Sequence, residues 1–287
     1  MRYVLSVATL VAIYGILAIA LNLVLGYSGM LALNFGALLG IGAFAFGILA
    51  EAELSTDLVV TIGVAMIAAA FISVTMGLPS LRLHGVYFMI ASFAVQLIMV
   101  DVFFNYTNTI HGQSAIFGYG RPTILGAEVS SPEVYTALSW ILLVLVALLS
   151  WRLVASPFGV ALRGIRDNES AVLASGRSVR YFKVAVFAIG GMLAALAGVL
   201  YAGTIGVVAP EDFGLNQSIA LIAMVVFGGA GSLLGPILGA ALLVVIPQAI
   251  QYVQVGADAA HVQQFLFGAI LVVLMMIRRR GLVGEGL

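Results

Sequence analysis

Four polar side chains stand within segments of this sequence that are otherwise apolar: Asn22, Asn34, Ser92 and Gln96. Their amide and hydroxyl groups donate and accept hydrogen bonds, so they could bind a polar solute. In an apolar environment the same groups could instead join one helix to another. Ionisable groups, which a proton or ion pathway needs, are essentially missing from these segments, apart from Asp101 near one end. The pattern therefore leaves a solute pathway and interhelical contacts open, and disfavours proton coupling.

One tetrapeptide, Gly26-Tyr27-Ser28-Gly29, could carry nucleophilic catalysis. It resembles the Gly-x-Ser-Gly motif of rhomboid intramembrane proteases, whose serine needs a histidine on another helix as its base. The histidines here are His84, His111 and His261, and none lies at the centre of an apolar segment. The chain has no His-Glu-x-x-His motif and no cysteine. We therefore expect no catalytic residues and no metal site.

Nucleotide binding by the common phosphate-binding loop requires the pattern G-x-x-x-x-G-K-[ST]. The only lysine is Lys183, which lies between Phe182 and Val184. The chain therefore lacks this loop, and we expect no cofactor in it. If ATP supplies energy, ATP and Mg²⁺ are bound by another polypeptide.

The composition places these residues in a membrane. Of 287 residues, 63% are hydrophobic and 8% are charged, and the mean hydropathy is +1.18. A soluble fold of this length needs a far more charged exterior. The 12 basic and 12 acidic residues balance, so we expect no nucleic-acid partner. No linker or compositional shift marks a second domain, and we predict a single transmembrane domain over residues 1–287.

Apolar runs of about 20 residues are long enough to cross a bilayer as helices. We predict spans near residues 4 to 25, 31 to 50, 58 to 78, 85 to 104, 134 to 151, 184 to 205 and 263 to 277. The run from Ile219 to Ile250 is too long for one crossing. Gly228-Gly229-Ala230-Gly231 should divide it, with Pro236 inside the second half.

Loop charges predict the orientation of the spans, because loops rich in Lys and Arg stay in the cytoplasm. The loop at 152–183 is basic, and Arg278-Arg279-Arg280 follows the last span, so both are expected inside. Three acidic segments without Lys or Arg are expected outside: 51–57, 206–217 and 251–262. This arrangement predicts about nine crossings and an outside Met1. A re-entrant segment at 26–36 would put Met1 inside, giving a range of about eight to ten.

Small residues recur at every fourth position in three segments, as expected where helices approach closely in lipid. They are Ala32, Gly36 and Gly40; Gly190, Ala194, Gly198 and Ala202; and Gly231, Gly235 and Gly239. Two of the series follow a glycine pair, Gly26/Gly29 and Gly228/Gly231. Helices interrupted at two comparable places are typical of a transporter's central site. We therefore add Gly228 and Gly231 to the candidate pathway residues.

The basic loop is expected to contain a short amphipathic helix. Ser156 can cap it, Pro157 suits its first turn, and Gly176 can end it. Its apolar stripe is Phe158, Ala161, Leu162 and Ile165, and its polar face carries Arg163, Arg166, Asp167 and Glu169. Such a helix docks either on the membrane surface or in a groove of a partner.

Several of these segments, in this order, resemble permease subunits of branched-chain amino acid ABC importers. The stretch Ala20-Leu21-Asn22-Leu23-Val24-Leu25-Gly26-Tyr27-Ser28-Gly29 and Gly40-Ile41-Gly42-Ala43-Phe44 resemble the family's start. The likeness continues through Gly85-Val86-Tyr87-Phe88, Ser156-Pro157-Phe158-Gly159, Ala161-Leu162-Arg163, Ala197-Gly198-Val199-Leu200-Tyr201-Ala202 and Gly228-Gly229-Ala230-Gly231-Ser232-Leu233-Leu234-Gly235-Pro236. The resemblance thus extends over nearly the whole chain.

The resemblance implies an all-α, polytopic helical permease in a bacterial inner membrane. Its expected partners are a second permease subunit, two cytoplasmic ATPase subunits, a periplasmic or lipid-anchored solute-binding protein, and membrane lipid. The loop helix would then be a coupling helix that contacts the ATPase. Its expected contact residues are Ser156, Pro157, Phe158, Gly159, Arg163, Arg166, Asp167 and Glu169.

The sequence departs from the family pattern at several positions. It has Asn34-Phe35-Gly36 where Gly-His-Ala is expected, Ala220 where Glu is frequent, and Val160 where a basic residue is common. Members often carry one more N-terminal span, whose absence fits an outside Met1. These departures leave branched-chain amino acids, urea or short amides, and other small organic solutes open as substrates. A stand-alone secondary transporter or channel is the alternative of another class.

Overall fold

Long apolar runs become helices because a helix satisfies its backbone hydrogen bonds within the segment, which a bilayer demands. The computed structural model describes residues 2–52, 57–80, 85–111, 115–117, 122–124, 127–128 and 131–253. The helices in these ranges are α1 (Arg2–Ser28), α2 (Phe35–Glu51), α3 (Leu58–Ser80), α4 (Val86–Tyr106), α5 (Pro132–Ala155), α6 (Pro157–Asp167), α7 (Glu169–Ala174), α8 (Val179–Ile205), α9 (Leu215–Gly228) and α10 (Leu234–Val253). The predicted all-α bundle is confirmed.

Within the described residues, five helices are long and apolar enough to cross a membrane: α1, α3, α4, α5 and α8. The apolar helices α2 and α9 and the apolar part of α10 are shorter. The chain is therefore a multi-pass membrane protein, and about nine crossings stays a prediction. The expected span at 263–277, the outer segment beyond residue 253 and Arg278–Arg280 lie outside the described residues.

The centre of the bundle is built from α1, α2 and α8. In the most apolar 18-residue stretch of each helix, 61% of α1 and 67% of α8 is buried inside the protein, compared with 28% for each of α3, α4 and α5. The backbones of α2 and α8 touch where Gly42 faces Ala195 and Gly198 faces Leu39, and a Cβ at either glycine would strike a carbonyl. Gly198 belongs to the small-residue series of α8, whereas Gly42 and Ala195 lie outside the predicted series.

Helices α3, α4 and α5 turn apolar side chains outward, among them Ile67, Phe71, Tyr87, Ile141 and Leu148. Such surface is unfavourable in water and suits lipid or another apolar protein.

Short strands lie at the end of the bundle where α5 begins and α8 ends. They are β1 (Ile116–Phe117), β2 (Thr123–Ile124), β3 (Ala127–Glu128) and β4 (Val207–Val208). Strand β1 pairs antiparallel with β4, with Ile116 opposite Val208, and β2 pairs with β3. A π-helical turn (Thr107–His111) and a 3₁₀ turn (Pro210–Phe213) complete the described connections. Helix α6 lies at the other end, where α5 ends, and we call it the α6 end of the bundle.

Both predicted helix interruptions are present. Helix α1 ends at Ser28, and the chain runs without helix to Asn34, so α2 begins later than the expected residue 31. The long run after Ile219 is divided between α9 and α10, as predicted. Gly29, Gly229 and Gly231 have φ angles of +71°, +110° and +87°. These are angles that residues with a Cβ rarely adopt, which is why the helices break at glycine.

The loop helix begins as predicted and ends earlier. Ser156 accepts a hydrogen bond from the Phe158 backbone N–H at 3.2 Å, and Pro157 occupies the first turn. The expected stop was Gly176, but α6 ends at Asp167. Asn168 has an extended backbone and caps a second helix, α7, by accepting from the Ala171 N–H at 3.1 Å. An Asn favours such a cap over a position inside a helix, and this divides the segment in two.

Candidate functional site

The two interrupted helices meet at a buried amide. The side chain of Asn22, in α1, is 1% exposed. Its Nδ2 donates to the Ser232 carbonyl at 2.8 Å, and its Oδ1 accepts from the Gly231 N–H at 2.9 Å. One side chain thus satisfies a donor and an acceptor that the break between α9 and α10 leaves without helical partners.

The backbones of the two breaks are also in contact. A Cβ at Gly26 would lie 2.5 Å from the Gly231 backbone nitrogen, closer than any ordinary contact. We call the group Asn22, Gly26, Gly231 and Ser232 the glycine junction. Gly228, the other predicted pathway glycine, packs against Gly235 at the start of α10. It therefore closes the turn between α9 and α10 beside the junction.

Helix α6 reaches the glycine junction through Arg166. The Arg166 Nη1 donates to the Gly26 carbonyl at 2.7 Å, and its Nε lies 3.4 Å from Asp167 Oδ1. Its side chain is 23% exposed, so most of it lies against the bundle. A guanidinium hydrogen bond to a backbone carbonyl is charge-assisted and geometrically specific. The loop helix and both helix breaks are therefore linked by one side chain.

The apolar stripe of α6 packs onto the protein. Ala161, Leu162 and Ile165 are buried, and the Phe158 ring lies 5.4 Å from the Phe182 ring of α8. Gly159 fits against the Val154 backbone at the turn from α5, where a Cβ would clash. The apolar stripe of α6 is therefore packed against α5, α8 and the rest of the described bundle.

The other charged residues of the loop divide into two groups. Arg163 is exposed and donates to the Val154 carbonyl at 3.2 Å, and the Asp167 side chain is 68% exposed. Glu169 instead faces inward, where its Oε2 lies 2.8 Å from the Nζ of Lys183. The assignment of the predicted loop residues to ATPase contact stays a prediction, and this geometry makes Arg163 and Asp167 the exposed charged members of that set.

Three side chains serve the start of α2, where helical N–H groups lack carbonyl partners. Ser92 Oγ accepts from the Leu33 N–H at 3.0 Å, and Gln96 Oε1 accepts from the Ala37 N–H at 2.8 Å. Ser218 Oγ, on α9, accepts from the Gly36 N–H at 3.0 Å. Gln96 also donates to the Phe213 carbonyl. These residues connect α2, α4 and α9, and a pathway role for Ser92 and Gln96 stays a prediction.

Asn34 differs from the other three predicted polar residues. Among the described residues, its Oδ1 is buried without a hydrogen-bond partner, and so is the Ser73 hydroxyl of α3. Both line the same small gap between α2, α3 and α4. Leaving such atoms unpaired costs free energy, so this gap is a place where the packing is not optimal for stability.

A larger cavity, of about 370 Å³, opens beside Arg166 at the α6 end. We call it the α6 cavity. Arg166, Glu169 and Lys183 contribute its charged lining, whereas Met30, Phe88 and Met89 belong to its apolar lining. It is a small-molecule cavity by volume, near the lower end of the usual range of about 300 to 1,000 Å³.

The protease interpretation finds no support in the surroundings of Ser28. The hydroxyl of Ser28 is buried and donates to the Val24 carbonyl of its own helix at 2.6 Å. His84 and His261 lie outside the described residues, and the side chain of His111 is not described either. Among the residues searched, no group of three or more His, Asp or Glu could hold a metal ion.

Three site residues were missed from the sequence: Ser218, Ser232 and Lys183. Ser218 lies in the first turn of α9 and Ser232 follows the end of that helix, and their partners lie 182 and 210 residues away in the chain. Lys183 pairs with Glu169, 14 residues earlier, across the turn between α7 and α8. The single lysine at the start of an apolar helix was the one usable signal, because the other pairings have no local sequence pattern.

The chain is similar to known transport permease components over nearly its whole length. The family model described as the permease component of branched-chain amino acid transport systems matches residues 3–275. The high-affinity branched-chain amino acid transport system permease protein LivM of Escherichia coli K12 is 30% identical, covering 98% of this chain and 70% of that protein. The probable branched-chain amino acid transport permease protein LivM of Methanocaldococcus jannaschii is 27% identical, covering 95% and 91%.

A more distant relative has a different named role. The autoinducer 2 import system permease protein LsrC of Escherichia coli O9:H4 is 27% identical over 53% of this chain and 46% of that protein. No solved structure matches the chain.

Proposed function

This chain belongs to the family of permease components of branched-chain amino acid transport systems, and from that membership we propose that it is one permease subunit of an ABC importer. Its substrate would be a branched-chain amino acid or a related small polar organic solute. The relatives are transport permease components, which argues against an enzymatic role for Ser28.

In the proposed assembly, this chain and a second permease chain lie in a bacterial inner membrane, and two cytoplasmic ATPase subunits bind to them. A periplasmic or lipid-anchored binding protein delivers the solute on the side opposite α6. ATP and Mg²⁺ are bound by the ATPases, because this chain lacks the phosphate-binding loop described above. The exposed apolar faces of α3, α4 and α5 supply surface for lipid and for the second permease chain.

The observation that carries the proposal is the hydrogen bond from Arg166 to Gly26. An ATPase that moves α6 would move Arg166, and with it the place where α1 and α9–α10 are interrupted. Both interruptions share Asn22, so neither shifts without affecting the other. Closure of the ATPases would thereby tip the permease between outward and inward states, through packed and hydrogen-bonded groups.

The proposed substrate class rests on family membership. LsrC is named for the import of autoinducer 2 and matches half of this chain. Related permeases are therefore compatible with more than one solute, and urea or short amides form the alternative of the same class.

The test is uptake of labelled leucine by proteoliposomes that contain this chain, its candidate permease partner and the ATPases. Binding protein is supplied outside and ATP inside. We expect ATP-dependent uptake that Arg163→Glu abolishes, because the substitution reverses an exposed charge on α6. The matched control is Arg177→Glu, an exposed arginine beyond α7, which should transport normally.

Other outcomes are equally informative. Uptake by this chain alone, without ATP or partners, would contradict the proposal and favour a stand-alone transporter. If urea or an amide stimulated ATP hydrolysis and leucine was not taken up, the importer assignment would be supported. The substrate would then be urea or the amide and not leucine.

A further inference from the structure

The α6 cavity has a charged lining and an apolar lining that come from different elements. Arg166 belongs to α6, Glu169 to α7 and Lys183 to α8. The apolar residues come from the segment after α1, which contributes Met30, and from the first turn of α4, which contributes Phe88 and Met89. A ligand in the cavity would therefore meet fixed charges and apolar side chains together.

The described charged lining can donate N–H groups to a ligand carboxylate. Arg166 uses Nη1 for the Gly26 carbonyl and Nε for Asp167, and a guanidinium with five N–H groups keeps further donors. The Lys183 side chain is 9% exposed, and its Nζ contacts Glu169 Oε2 at 2.8 Å. An ammonium group has three N–H donors, and a single contact with Glu169 leaves further donor capacity. Glu169 in turn can attract a ligand's positive group, because its side chain is 29% exposed.

The apolar lining suits a flexible aliphatic group. Met30 and Met89 have unbranched, polarisable side chains that adapt to ligand shape, and Phe88 adds a flat apolar wall. An aliphatic side chain placed there would leave water, gaining about 25 cal/mol for each Å² of apolar surface buried. Among the described lining residues, Met30, Phe88 and Met89 offer no charged partner to a further charged group on the ligand.

We propose that the α6 cavity binds a zwitterionic amino acid with an aliphatic side chain, entering from the α6 end. The carboxylate lies against Lys183 and Arg166, the ammonium group against Glu169, and the side chain against Met30, Phe88 and Met89. The choice of amino acid rests on the proposed function. The site itself is separate from the glycine junction, although Arg166 borders both.

Occupancy of the cavity has a consequence for transport. Arg166 holds the Gly26 carbonyl, so a ligand carboxylate beside its guanidinium alters the hydrogen bonding at the glycine junction. Amino acid accumulating on the α6 side should therefore slow further uptake. The cavity would then act as a product-sensing site.

The test uses the absence of cysteine from the natural chain. Met89→Cys is introduced and the complete complex, in nanodiscs without binding protein, is treated with a small thiol reagent. L-leucine should slow labelling about tenfold at a concentration about ten times its Kd. Leu173→Cys, at an exposed position of α7, is the matched control and should label at the same rate with or without leucine.

Ligand analogues test each part of the site without altering the protein. Leucine amide lacks the carboxylate, 4-methyl-2-oxopentanoate lacks the ammonium group, and glycine lacks the aliphatic chain. Each should protect at least about tenfold less well, since a charge-assisted hydrogen bond or a buried aliphatic group is lost. Lys183→Met in the Met89→Cys background should weaken protection by roughly 10- to 100-fold.

Two results would overturn the inference. Equal protection by leucine and leucine amide would show that the ligand carboxylate makes no contact in the cavity. Labelling that ignores leucine but slows in phosphatidylglycerol relative to phosphatidylcholine nanodiscs would assign the cavity to a lipid headgroup.

The outcomes also separate this inference from the proposed function. ATP-driven leucine uptake without protection of Met89→Cys would defeat the cavity site alone. Protection without any ATP-driven uptake would defeat the importer proposal alone.

Discussion

The guanidinium of Arg166 donates a hydrogen bond of 2.7 Å to the carbonyl of Gly26, 140 residues earlier in the chain. Arg166 lies in α6, outside the long apolar helices, and Gly26 lies within the last turn of α1. The contact joins the surface expected to meet an ATPase with the place where two helices are interrupted. A movement of α6 could therefore reach the break at the end of α1 through this contact.

Replacing Asn22 with Ala should destabilise the protein, because Asn22 is the buried partner of both Gly231 and Ser232. The substitution leaves a donor and an acceptor unsatisfied, each costing about 1 to 3 kcal/mol. Thermal unfolding in detergent measures the effect. Asn216→Ala, at an exposed position in the first turn of α9, should change the melting temperature little. Equal melting temperatures for the two variants would show that the amide does not hold the break.

Gly26→Ala should disturb the glycine junction, because its Cβ would lie 2.5 Å from the Gly231 nitrogen. The backbone must move, so we expect lower stability and lost uptake. Gly63→Ala is the matched control. A Cβ at Gly63 meets nothing within 4 Å, and replacing glycine inside a helix should stabilise by about 0.5 to 1 kcal/mol. Normal folding and uptake of Gly26→Ala would contradict the close contact between the breaks.

Ser73→Ala should leave stability unchanged or raise it. Among the described residues the Ser73 hydroxyl is buried without a partner, so removing it relieves a desolvation cost of about 1 to 3 kcal/mol. Ser139→Ala provides contrast, because the Ser139 hydroxyl donates to the Tyr135 carbonyl at 2.9 Å. A marked loss of stability in Ser73→Ala alone would mean that its hydroxyl has a hydrogen-bond partner in the working protein.

Asp212, in the 3₁₀ turn between α8 and α9, should make stability depend on pH. Burial, and then the neighbouring Glu211 carboxylate, raise the pKa of Asp212 above its ordinary value. The folded state therefore binds the proton more tightly than the unfolded state. Stability from this group is present below the ordinary pKa and is lost as pH rises through the raised pKa.

Asp212→Asn should consequently raise the melting temperature at about pH 8 and leave it nearly unchanged at about pH 3, below the ordinary pKa. Glu211→Gln should produce a smaller change in the same direction, because it removes only the second cause of the shift. A stabilisation by Asp212→Asn that is the same at both pH values would show that the carboxylate's charge is not responsible.

Much of the fold could be predicted from local properties of the chain. The lengths of the apolar runs predicted most of the helices, and the glycines after Phe227 predicted the break between α9 and α10. Ser156 and Pro157 marked the start of α6 because a cap and a first-turn proline are local signals. Local signals failed at Asn168, where capping ended α6 before the expected Gly176.

The site was harder to predict because its contacts join distant parts of the chain. Asn22 and Gln96 were identified as polar residues in apolar helices, yet their partners at Ser232 and Phe213 depend on how the helices pack. Arg166 was predicted for the polar face of the loop helix, where it was expected to meet an ATPase. No sequence pattern indicated that its guanidinium turns to Gly26 instead of to solvent.

The most direct measurement of the central claim compares leucine uptake with ATP hydrolysis in proteoliposomes carrying the complete complex, for the natural chain, Arg166→Lys and Arg166→Ala. Loss of the charge-assisted hydrogen bond should lower uptake about 10- to 100-fold in Arg166→Ala, while hydrolysis stimulated by the binding protein continues. Arg166→Lys, which keeps the charge without the planar fork, should fall between them. If Arg166→Ala took up as much leucine per ATP hydrolysed as the natural chain does, the result would contradict the claim that α6 acts on the glycine junction through this side chain.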